Sequence, residues 1–346
     1  MSPLPELWYR PLPSRALLLY PLALLFHGLV TLRRLLYRHG ILGSQRLPVP
    51  VIVVGNLTVG GTGKTPLTLW LVQQLIEAGW HPGIISRGYR RSGPGHASPR
   101  AVTVGEMPQE VGDEALLMAQ RRLCPVWIGR DRAAVGKALL QAHPECDVLV
   151  SDDGLQHYRL QRDVEIVVID GIRRFGNRLL LPAGPLREPL GRLDSVDVRV
   201  CNGGTPQAGE YSMQLQGARF YNLLNPSVNR LAQDFAGQRL HAVAGIGHPQ
   251  RFFRHLQSLG LPVQAHAFPD HHEFTAHDLA FADADAVLMT EKDAVKCRTF
   301  ATERHWVLRV DAELDPALAP LIINKVTSSW TQNCSTSWSA RCVNRP

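Results

Sequence analysis

Short apolar runs alternate with helical stretches from residue 48 onward. Helices are predicted over Thr65–Ala78, Asp113–Arg122 and Asp131–Ala142. Buried strands that alternate with helices are typical of a parallel sheet covered on both faces. The pattern therefore predicts an α/β fold with a doubly wound parallel sheet. The apolar runs that we interpret as its strands are 49–54, 83–86, 125–129, 147–151, 165–169 and 196–201.

A second, smaller α/β pattern follows the first. It consists of a strand over Leu240–Ala244, a helix over Gln250–Leu259 and strands over Ala286–Thr290 and Trp306–Val310. Between the two patterns, Tyr211–Leu224 alternates polar and apolar residues, which indicates a hairpin-like connection. The second pattern therefore predicts a second α/β domain that follows this connection.

The changes of pattern divide the chain into five segments. An arm precedes the first strand, and the last segment is rich in Ser, Thr and Asn without periodicity, as in a disordered tail. The predicted segments are the arm (1–46), a core domain of the phosphate-loop NTPase type (47–205), a linker with a hairpin (206–235), a smaller C-terminal α/β domain (236–326) and the tail (327–346).

The arm contains an almost wholly apolar run over Ala16–Leu32, interrupted by a proline and a glycine. A membrane-spanning helix needs about 20 apolar residues, and this run is shorter. The pattern alone leaves three alternatives, which are a buried core helix, a helix that lies in one leaflet and a true span. Arginines flank the run on both sides, and because they can reach lipid headgroups, they favour the helix in one leaflet.

Composition and charge exclude several classes of protein. Of the 346 residues, 45% are hydrophobic and 19% charged, as in a folded globular protein. The six cysteines form no Cys-x-x-Cys pair, which argues against a zinc site or a disulfide framework. Much of the net charge of +7 lies in the arm, where six arginines accompany one acid. Basic charge beside apolar sequence indicates an anionic membrane surface, and no nucleic-acid-binding motif is present.

The segment Gly60-Gly61-Thr62-Gly63-Lys64-Thr65 follows a predicted buried strand and opens a helix. In such a turn, backbone N–H groups surround phosphate oxygens, a lysine reaches the β- and γ-phosphates, and a threonine hydroxyl binds Mg²⁺. The general motif requires glycine at position 58, where this chain has Thr58. Even so, the pattern predicts that the chain binds a nucleoside triphosphate.

Two carboxylates follow the strand at 147–151, in the segment Asp152-Asp153-Gly154. Ligands of doubly wound sheets bind at the carboxyl ends of the strands. Beside a phosphate loop, these carboxylates are the expected ligands of Mg²⁺ or its water shell. The alternative is that one of them caps the following turn.

Three further groups of polar residues carry candidate chemistry. Asp113 and Glu114 open a helix, where acids ordinarily serve as caps and partners of the helix dipole. The segment 269–273 holds two adjacent histidines between acids, and because adjacent strand residues point to opposite faces, a general base is favoured over chelation. Glu188 lies in a proline-rich loop, and the role of Thr290-Glu291-Lys292-Asp293 does not follow from composition.

Taken together, these segments closely resemble the tetraacyldisaccharide 4′-kinase family of lipid A biosynthesis. The resemblance covers roughly residues 8–325, and Thr58 is normal for that family. The matching segments are 55–66 (GNLTVGGTGKTP), 86–89 (SRGY), 112–114 (GDE), 152–157 (DDGLQH), 186–189 (LREP), 268–271 (FPDH) and 290–296 (TEKDAVK).

The resemblance implies a monotopic enzyme on the cytoplasmic face of the bacterial inner membrane. Such an enzyme uses ATP and Mg²⁺ to transfer the γ-phosphoryl group to the 4′-hydroxyl of an acylated glucosamine disaccharide 1-phosphate. Its expected partners are this lipid and the anionic membrane surface, with no nucleic acid and no obligate protein partner.

The family's site residues map onto matching positions of this chain. Lys64 would act on the phosphates, and Asp113 and His271 would form the catalytic acid–histidine pair. These two fall in different predicted domains, so domain closure over the substrates is expected to bring them together. The other expected residues are Thr58, Val59, Gly60, Gly61, Thr62, Gly63, Lys64 and Thr65 for the nucleotide, Thr65, Asp152, Asp153 and Glu188 for the metal, and Arg87, Tyr89, Gln156, His157 and Arg187 for the acceptor.

Two other functions remain as alternatives. One is a membrane-associated phosphate-loop switch or partitioning ATPase that acts on a protein partner. Such proteins often carry a second lysine early in the loop, where this chain has Val59, which counts against that alternative. The other is a kinase with a soluble acceptor, which the apolar arm argues against.

Overall fold

The computed structural model describes residues 8–9, 18–88 and 98–336. Within them, 13 strands form a single sheet. The strands are β1 (Val51–Gly55), β2 (Pro82–Ser86), β3 (Arg100–Ala101), β4 (Val126–Ile128), β5 (Val148–Asp152), β6 (Val164–Asp170), β7 (Val198–Asn202), β8 (Glu210–Asn222), β9 (Asn229–Leu231), β10 (Leu240–Ala244), β11 (Val263–Ala267), β12 (Ala286–Thr290) and β13 (His305–Leu314).

Helices connect most of these strands, as the sequence pattern predicts. Short 3₁₀ turns are also present, at Leu190–Ser195, Ala232–Phe235, Ala276–Leu279 and Arg298–Phe300. The α-helices of the described residues that matter below are α1 (Tyr20–Arg38), α2 (Lys64–Glu77), α3 (Pro108–Val111), α4 (Asp113–Gln120), α5 (Arg132–Ala142), α6 (Pro249–Ser258), α7 (Glu291–Cys297) and α8 (Leu318–Thr336).

Apart from the short edge strand β3, which pairs antiparallel with β4, the first half of the sheet is parallel, which confirms the predicted fold class. β1 lies between β5 and β6, with Val53 opposite Ser151 on one side and Glu165 on the other. All residues of β1, β5 and β6 are buried. Apolar side chains of α2 and α4 pack in a core on one face, and those of α5 in a core on the other. Helices on both faces therefore explain why these strands are continuously apolar.

β8 joins the two halves of the sheet. It pairs parallel with β7, antiparallel with β13, and antiparallel with the short β9 in a hairpin. The alternating segment 211–224 is thus a long strand within the sheet, and its hairpin is only one of its pairings. Beyond it, β10, β11, β12 and β13 are parallel to one another. Because β13 is antiparallel to β8, these strands run opposite to β1, and the carboxyl ends of β10 and β12 point toward the phosphate loop from the other side.

The last helix corrects the predicted start of the disordered tail. α8 continues through position 327 and ends at Thr336, while residues 337–346 lie outside the described part of the chain. Val326 is fully buried, and Trp330 packs against the core on the α5 face. Ser and Thr side chains of this helix donate to carbonyls four residues earlier, as Thr327 does to Ile323. Polar composition concealed two apolar anchors, Val326 and Trp330.

The arm forms a helix whose apolar side chains are largely exposed. Ala23 is the one side chain of α1 that is fully buried, whereas Leu25 and Leu29 are 62% and 58% exposed. The alternative of a buried core helix is therefore wrong. Among the described residues, no helix combines the length and the apolar character that crossing a membrane requires.

Candidate active site

The phosphate loop connects β1 to α2 and depends on glycine at two positions. Gly60 and Gly63 have φ of +108° and +92°, a region that other residues rarely adopt. A Cβ at Gly63 would lie 2.2 Å from Nδ2 of Asn202, which donates to the Thr62 carbonyl over 2.8 Å. The loop is therefore tied to the end of β7 at a point where no side chain fits.

Thr58 departs from the general motif without straining the loop. Its φ is not positive, and its backbone pairs with Leu186 across an isolated antiparallel bridge. The N–H of Val59 donates to the Pro185 carbonyl over 2.9 Å. Because the proline-rich loop holds this part of the backbone in an extended form, glycine is not needed at position 58.

Lys64 begins α2 and points toward two polar groups. Its Nζ lies 3.3 Å from Oδ1 of Asn56 and 3.5 Å from Oδ1 of Asp153. Only 10% of the side chain is exposed. Its ammonium group thus lies beside the carboxylate that follows β5, as in a site for phosphate and metal.

The two carboxylates after β5 lie in different electrostatic surroundings. Burial raises the pKa of Asp152, and the nearby Glu114 and Asp153 add to this effect against Lys64. Asp152 Oδ1 accepts from the Thr68 hydroxyl over 3.4 Å, while its buried Oδ2 has no partner among the described residues. A buried oxygen aimed into a polar site fits a cation or its water shell, which would offset the cost of burial.

Asp153 is held as a carboxylate by cations. Burial alone would raise its pKa, but Lys64 and Arg187 outweigh that effect and lower the pKa to about 2. Arg187 Nη1 lies 3.2 Å from each carboxylate oxygen. The two neighbouring acids therefore have pKa values that are pushed apart, an arrangement found at sites that bind or transfer charge.

Glu188 is buried and already surrounded by donors. Its carboxylate accepts from the Tyr158 hydroxyl and from Gln156 Nε2, the latter over 3.1 Å, and Arg192 Nε lies 3.9 Å away. In the described residues, no group of three His, Cys, Asp or Glu side chains is arranged to hold a metal ion. This fits Mg²⁺, which commonly binds one or two carboxylates together with substrate phosphates. The assignment of Glu188 as a ligand stays a prediction.

Asp113 and His271 meet across the two halves of the molecule. Nδ1 of His271 lies 2.8 Å from Oδ2 of Asp113, although 158 residues separate them along the chain. Burial would raise the pKa of Asp113, but the hydrogen bond from His271 and the charge of Lys292 lower it to about 2. His271 has φ +61°, and its N–H donates to the Gly245 carbonyl over 3.1 Å. The adjacent His272 contacts Asp278 instead, as expected for neighbours that point apart.

A cavity of about 1180 Å³ contains most of the predicted site. It is lined by the phosphate loop, by Asp113 and His271, and by Phe26, Val30 and Arg33 of α1. Tyr89 lies outside the described residues. The predicted site residues on this cavity are Val59, Gly60, Gly61, Lys64, Arg87, Asp113, Asp152, Asp153, Gln156, His157, Arg187, Glu188 and His271.

A second cavity of about 510 Å³ lies on the other side of the phosphate loop. Thr62, Gly63 and Thr65 line it, opposite Arg251 and Phe252 of α6. The loop therefore separates two spaces. One contains the acid–histidine pair and part of α1, and the other lies between the halves of the sheet.

The family of proteins described as tetraacyldisaccharide-1-P 4′-kinase matches residues 15–327 of this chain. The chain belongs to this 4′-kinase family. Tetraacyldisaccharide 4′-kinase from Methylobacillus flagellatus is 54% identical over 311 residues, which cover 90% of this chain and 92% of that relative. The enzyme of the same name from Azoarcus sp. is 53% identical over 332 residues, covering 94% and 96%.

A solved 4′-kinase structure has the same fold. The crystal structure of LpxK from Aquifex aeolicus in complex with ATP has a TM-score of 0.76 and 28% identity to this chain. The match covers 90% of this chain and all of that one. A likeness of this extent includes both halves of the sheet.

Several residues of this 4′-kinase site were not predicted from its sequence. Asn56 and Asn202 contact Lys64 and the loop backbone, and the buried Arg132 lines the large cavity with its Nη2 3.4 Å from the Asp152 carbonyl. Lys292 lies beside the acid–histidine pair. Asn202 and Asp152 share one signal, which is a polar residue that ends a buried strand. Arg132 carries no comparable signal, since the first residue of an ordinary helix is often charged.

Proposed function

We propose that this chain is an ATP-dependent kinase that phosphorylates the 4′-hydroxyl of an acylated glucosamine disaccharide 1-phosphate. The observation that carries the proposal is that Lys64, Asp152, Asp113 and His271 line one cavity. A site that combines a phosphate loop with a carboxylate–imidazole pair can hold a phosphoryl donor and accept a proton from an alcohol.

The donor site is built from the loop and the carboxylates behind it. Residues 58–65 would surround the phosphates with backbone N–H groups, and Lys64 would stabilise charge on the transferred group. Thr65, Asp152 and Asp153 would hold Mg²⁺, with Glu188 at the edge of the set. When bound, this ion neutralises phosphate charge and helps to align the donor.

The acceptor side requires a base. As the 4′-oxygen bonds to phosphorus and the bond to the β-phosphate oxygen breaks, the hydroxyl proton would pass to Asp113. His271, at 2.8 Å, orients that carboxylate. Arg87, Gln156, His157 and Arg187 lie on the same cavity and would contact the polar head of the acceptor.

The acyl chains would lie against α1 at a membrane surface. Phe26 and Val30 of this helix line the same cavity, and Leu25 and Leu29 are exposed on it. An apolar helix face with arginines is suited to the boundary between headgroups and acyl chains of an anionic leaflet. We place the enzyme as a peripheral protein on the cytoplasmic face of the bacterial inner membrane.

One assay tests the proposal. Purified protein is incubated with γ-labelled ATP and Mg²⁺, with the acylated disaccharide 1-phosphate in mixed micelles or with its 4′-deoxy analogue as control. Label in the first lipid and not in the analogue supports the kinase. ATP hydrolysis that vesicles stimulate, without label in lipid, would instead indicate the switch ATPase.

A further inference from the structure

Lys292 belongs to a segment of the sequence whose role composition did not reveal. It follows the first residue of α7, directly after β12, and its side chain is 18% exposed. It lines both cavities, next to the acid–histidine pair. The carboxylates around it outweigh its burial and raise its pKa above the ordinary lysine value, so it stays an ammonium group.

Three partners surround the ammonium nitrogen. Nζ of Lys292 lies 3.1 Å from Oε1 of Glu114, 3.6 Å from Oδ1 of Asp270 and 3.3 Å from Nε2 of His271. An ammonium group has three donors and no acceptor. Its approach to Nε2 is therefore attractive only if that nitrogen carries a lone pair and no proton.

We propose that Lys292 is a positioning residue that holds His271 as the neutral imidazole protonated on Nδ1. In this form Nδ1–H donates to Asp113, and Nε2 accepts from Lys292. Nδ1 is the nitrogen that lies 2.8 Å from the Asp113 carboxylate, whereas Nε2 is nearer to the Lys292 ammonium, at 3.3 Å, than to Asp270 Oδ1, at 3.8 Å.

The proposal rests on the proposed kinase function. It assigns different roles to the two residues of the pair, with Asp113 as the base and His271 as its hydrogen-bond partner. Nε2 of His271 faces an ammonium group and cannot take the acceptor's proton, so the proton goes to Asp113. A carboxylate whose pKa is lowered by the His271 hydrogen bond and by the charge of Lys292 is a weak base. It suffices because phosphoryl transfer proceeds through a loose transition state in which the hydroxyl proton leaves late.

Lys292 is held rigidly enough to act in this way. The neighbouring Glu291 accepts from Arg121, which caps the carboxyl end of α4, over 2.8 Å and from the Val310 N–H over 3.1 Å. The Thr290 side chain caps α7 through the Asp293 N–H. α4 carries Asp113 and Glu114, so these contacts join the helix of the base to the helix of Lys292.

The first test replaces the charge. In Lys292→Met, the ammonium group that lies beside Nε2 of His271 is removed, and with it one cation that lowers the Asp113 pKa. The Asp113 carboxylate can then bind a proton at higher pH. Besides Lys292, the charged groups near the His271 ring in the described part of the chain include Asp113 and Asp270. We expect the acidic limb of kcat to move upward by about one pH unit or more, so that kcat at a pH on the parental limb falls roughly 10-fold or more.

Two further variants distinguish a positioning role of Lys292 from a general effect on the stability of α7. Lys292→Arg keeps a cationic donor and should keep the limb near its parental pH. Lys296→Met removes the next lysine of α7, which pairs with Asp293 over 2.8 Å and does not contact His271. It should lower the melting temperature and, because Lys296 lowers the Asp113 pKa less than Lys292 does, it should move the limb much less. A parental limb in Lys292→Met, or an equal shift in Lys296→Met, would overturn the proposal.

A second measurement does not depend on any variant of Lys292. Long-range ¹H–¹⁵N spectra of parent protein with ¹⁵N-labelled histidine report which ring nitrogen carries the proton. The His271 signal is assigned by its loss in His271→Gln. Protonation on Nδ1 alone at neutral pH supports the proposal, whereas an Nε2-protonated ring or an imidazolium contradicts it.

Failure of the two proposals would look different. If the parent protein places no label in the lipid, the kinase proposal fails. If the parent is active and the kcat profile of Lys292→Met coincides with the parental profile in shape and position, the kinase proposal stands and the role of Lys292 is wrong.

Discussion

The phosphate loop and the Asp113–His271 pair lie on the same cavity, but they are assembled in different ways. The loop is a continuous segment between β1 and α2, so its shape follows from neighbouring residues. The pair joins two residues that are 158 positions apart, one at the start of α4 and one in a loop after β11. The comparison teaches that donor chemistry in this protein is encoded locally, whereas acceptor chemistry depends on how the two halves pack.

The largest expected effect tests the phosphate loop, which is formed by a continuous segment of the chain. Lys64→Ala removes the ammonium group that would meet the charge of the transferred phosphoryl group, which is worth several kcal/mol. We expect phosphoryl transfer to fall by roughly 10³-fold or more, with an unchanged melting temperature within a few degrees. Rates are measured by transfer of label to lipid. Turnover close to the parental value would contradict the assignment of the phosphate loop.

The next largest effect tests the Asp113–His271 pair, which depends on the packing of the two halves. Asp113→Ala and His271→Ala should each lower kcat by roughly 10²-fold or more, the usual range for loss of a general base. The double variant should lose much less than the product of the two, because the residues act as one unit. ATP affinity, measured by calorimetry, should hardly change. Multiplying losses would mean that the two residues act independently.

The difference between the two parts also decides what the sequence could reveal. A strand, three glycines and Lys64-Thr65 are adjacent in the chain, and Asp152 ends a strand beside them, so the donor site follows from local pattern. The contact of Asp113 with His271 does not, because an acid in a first helical turn is ordinarily a cap. Only the family resemblance pointed to that pair.

The same distinction applies to the fold. The strands at 240–244 and 286–290 have the predicted limits, since each is a short apolar run between turns. β8 illustrates what local pattern omits. Alternation predicts a strand there, but pairing with β7 and β13 depends on register between distant segments. The tail was mispredicted for a related reason, because Trp330 is stabilised by a core that is distant in sequence.

A third prediction tests whether the phosphate loop needs contacts from outside its own segment to bind ATP. Asn202 donates to the Thr62 carbonyl and accepts from Arg251 of α6 over 2.7 Å, so it links the loop to the second half. Asn202→Ala removes both hydrogen bonds, each worth about 1 kcal/mol. We expect the KM for ATP to rise about 10-fold with a smaller change in kcat. Arg251→Ala should reproduce part of this rise, and unchanged ATP binding in both would show that the loop is self-sufficient.

A fourth, smaller effect concerns the acceptor. Leu25→Glu combined with Leu29→Glu places charge on the exposed face of α1 and should weaken binding to anionic vesicles. We expect the KM for lipid to rise a few-fold while the KM for ATP stays constant. Ile76→Glu, at a residue of α2 that is 40% exposed, is the matched control and should change neither. If the double variant binds vesicles as well as the parent does, the membrane-binding surface of the protein is not this face of α1.

The smallest expected effect is on the stability of the protein and concerns His305, which lies in the second half of the sheet. Burial lowers the pKa of His305 in β13 to about 4, and Nδ1 accepts from the Thr302 N–H over 3.1 Å. The unfolded chain binds a proton near pH 6.5, whereas the folded protein does so only near pH 4. The unfolded state therefore holds more protons between these values, and stability decreases as pH falls through this window.

Replacing the His305 side chain should reduce the dependence of the melting temperature on pH. His305→Asn keeps an acceptor near the Thr302 N–H but cannot titrate, so the melting temperature should fall less between pH 7 and pH 4 than in the parent. The expected difference is a few degrees, since a shift from 6.5 to about 4 corresponds to about 3.4 kcal/mol at most, at about 1.4 kcal/mol per pKa unit. His157 on the large cavity also has a pKa lowered to about 4, chiefly by burial, so some of the slope should remain. An unchanged slope in His305→Asn would show that His305 does not contribute and would leave His157, together with His248 and His266 of the second half, whose pKa values burial also lowers.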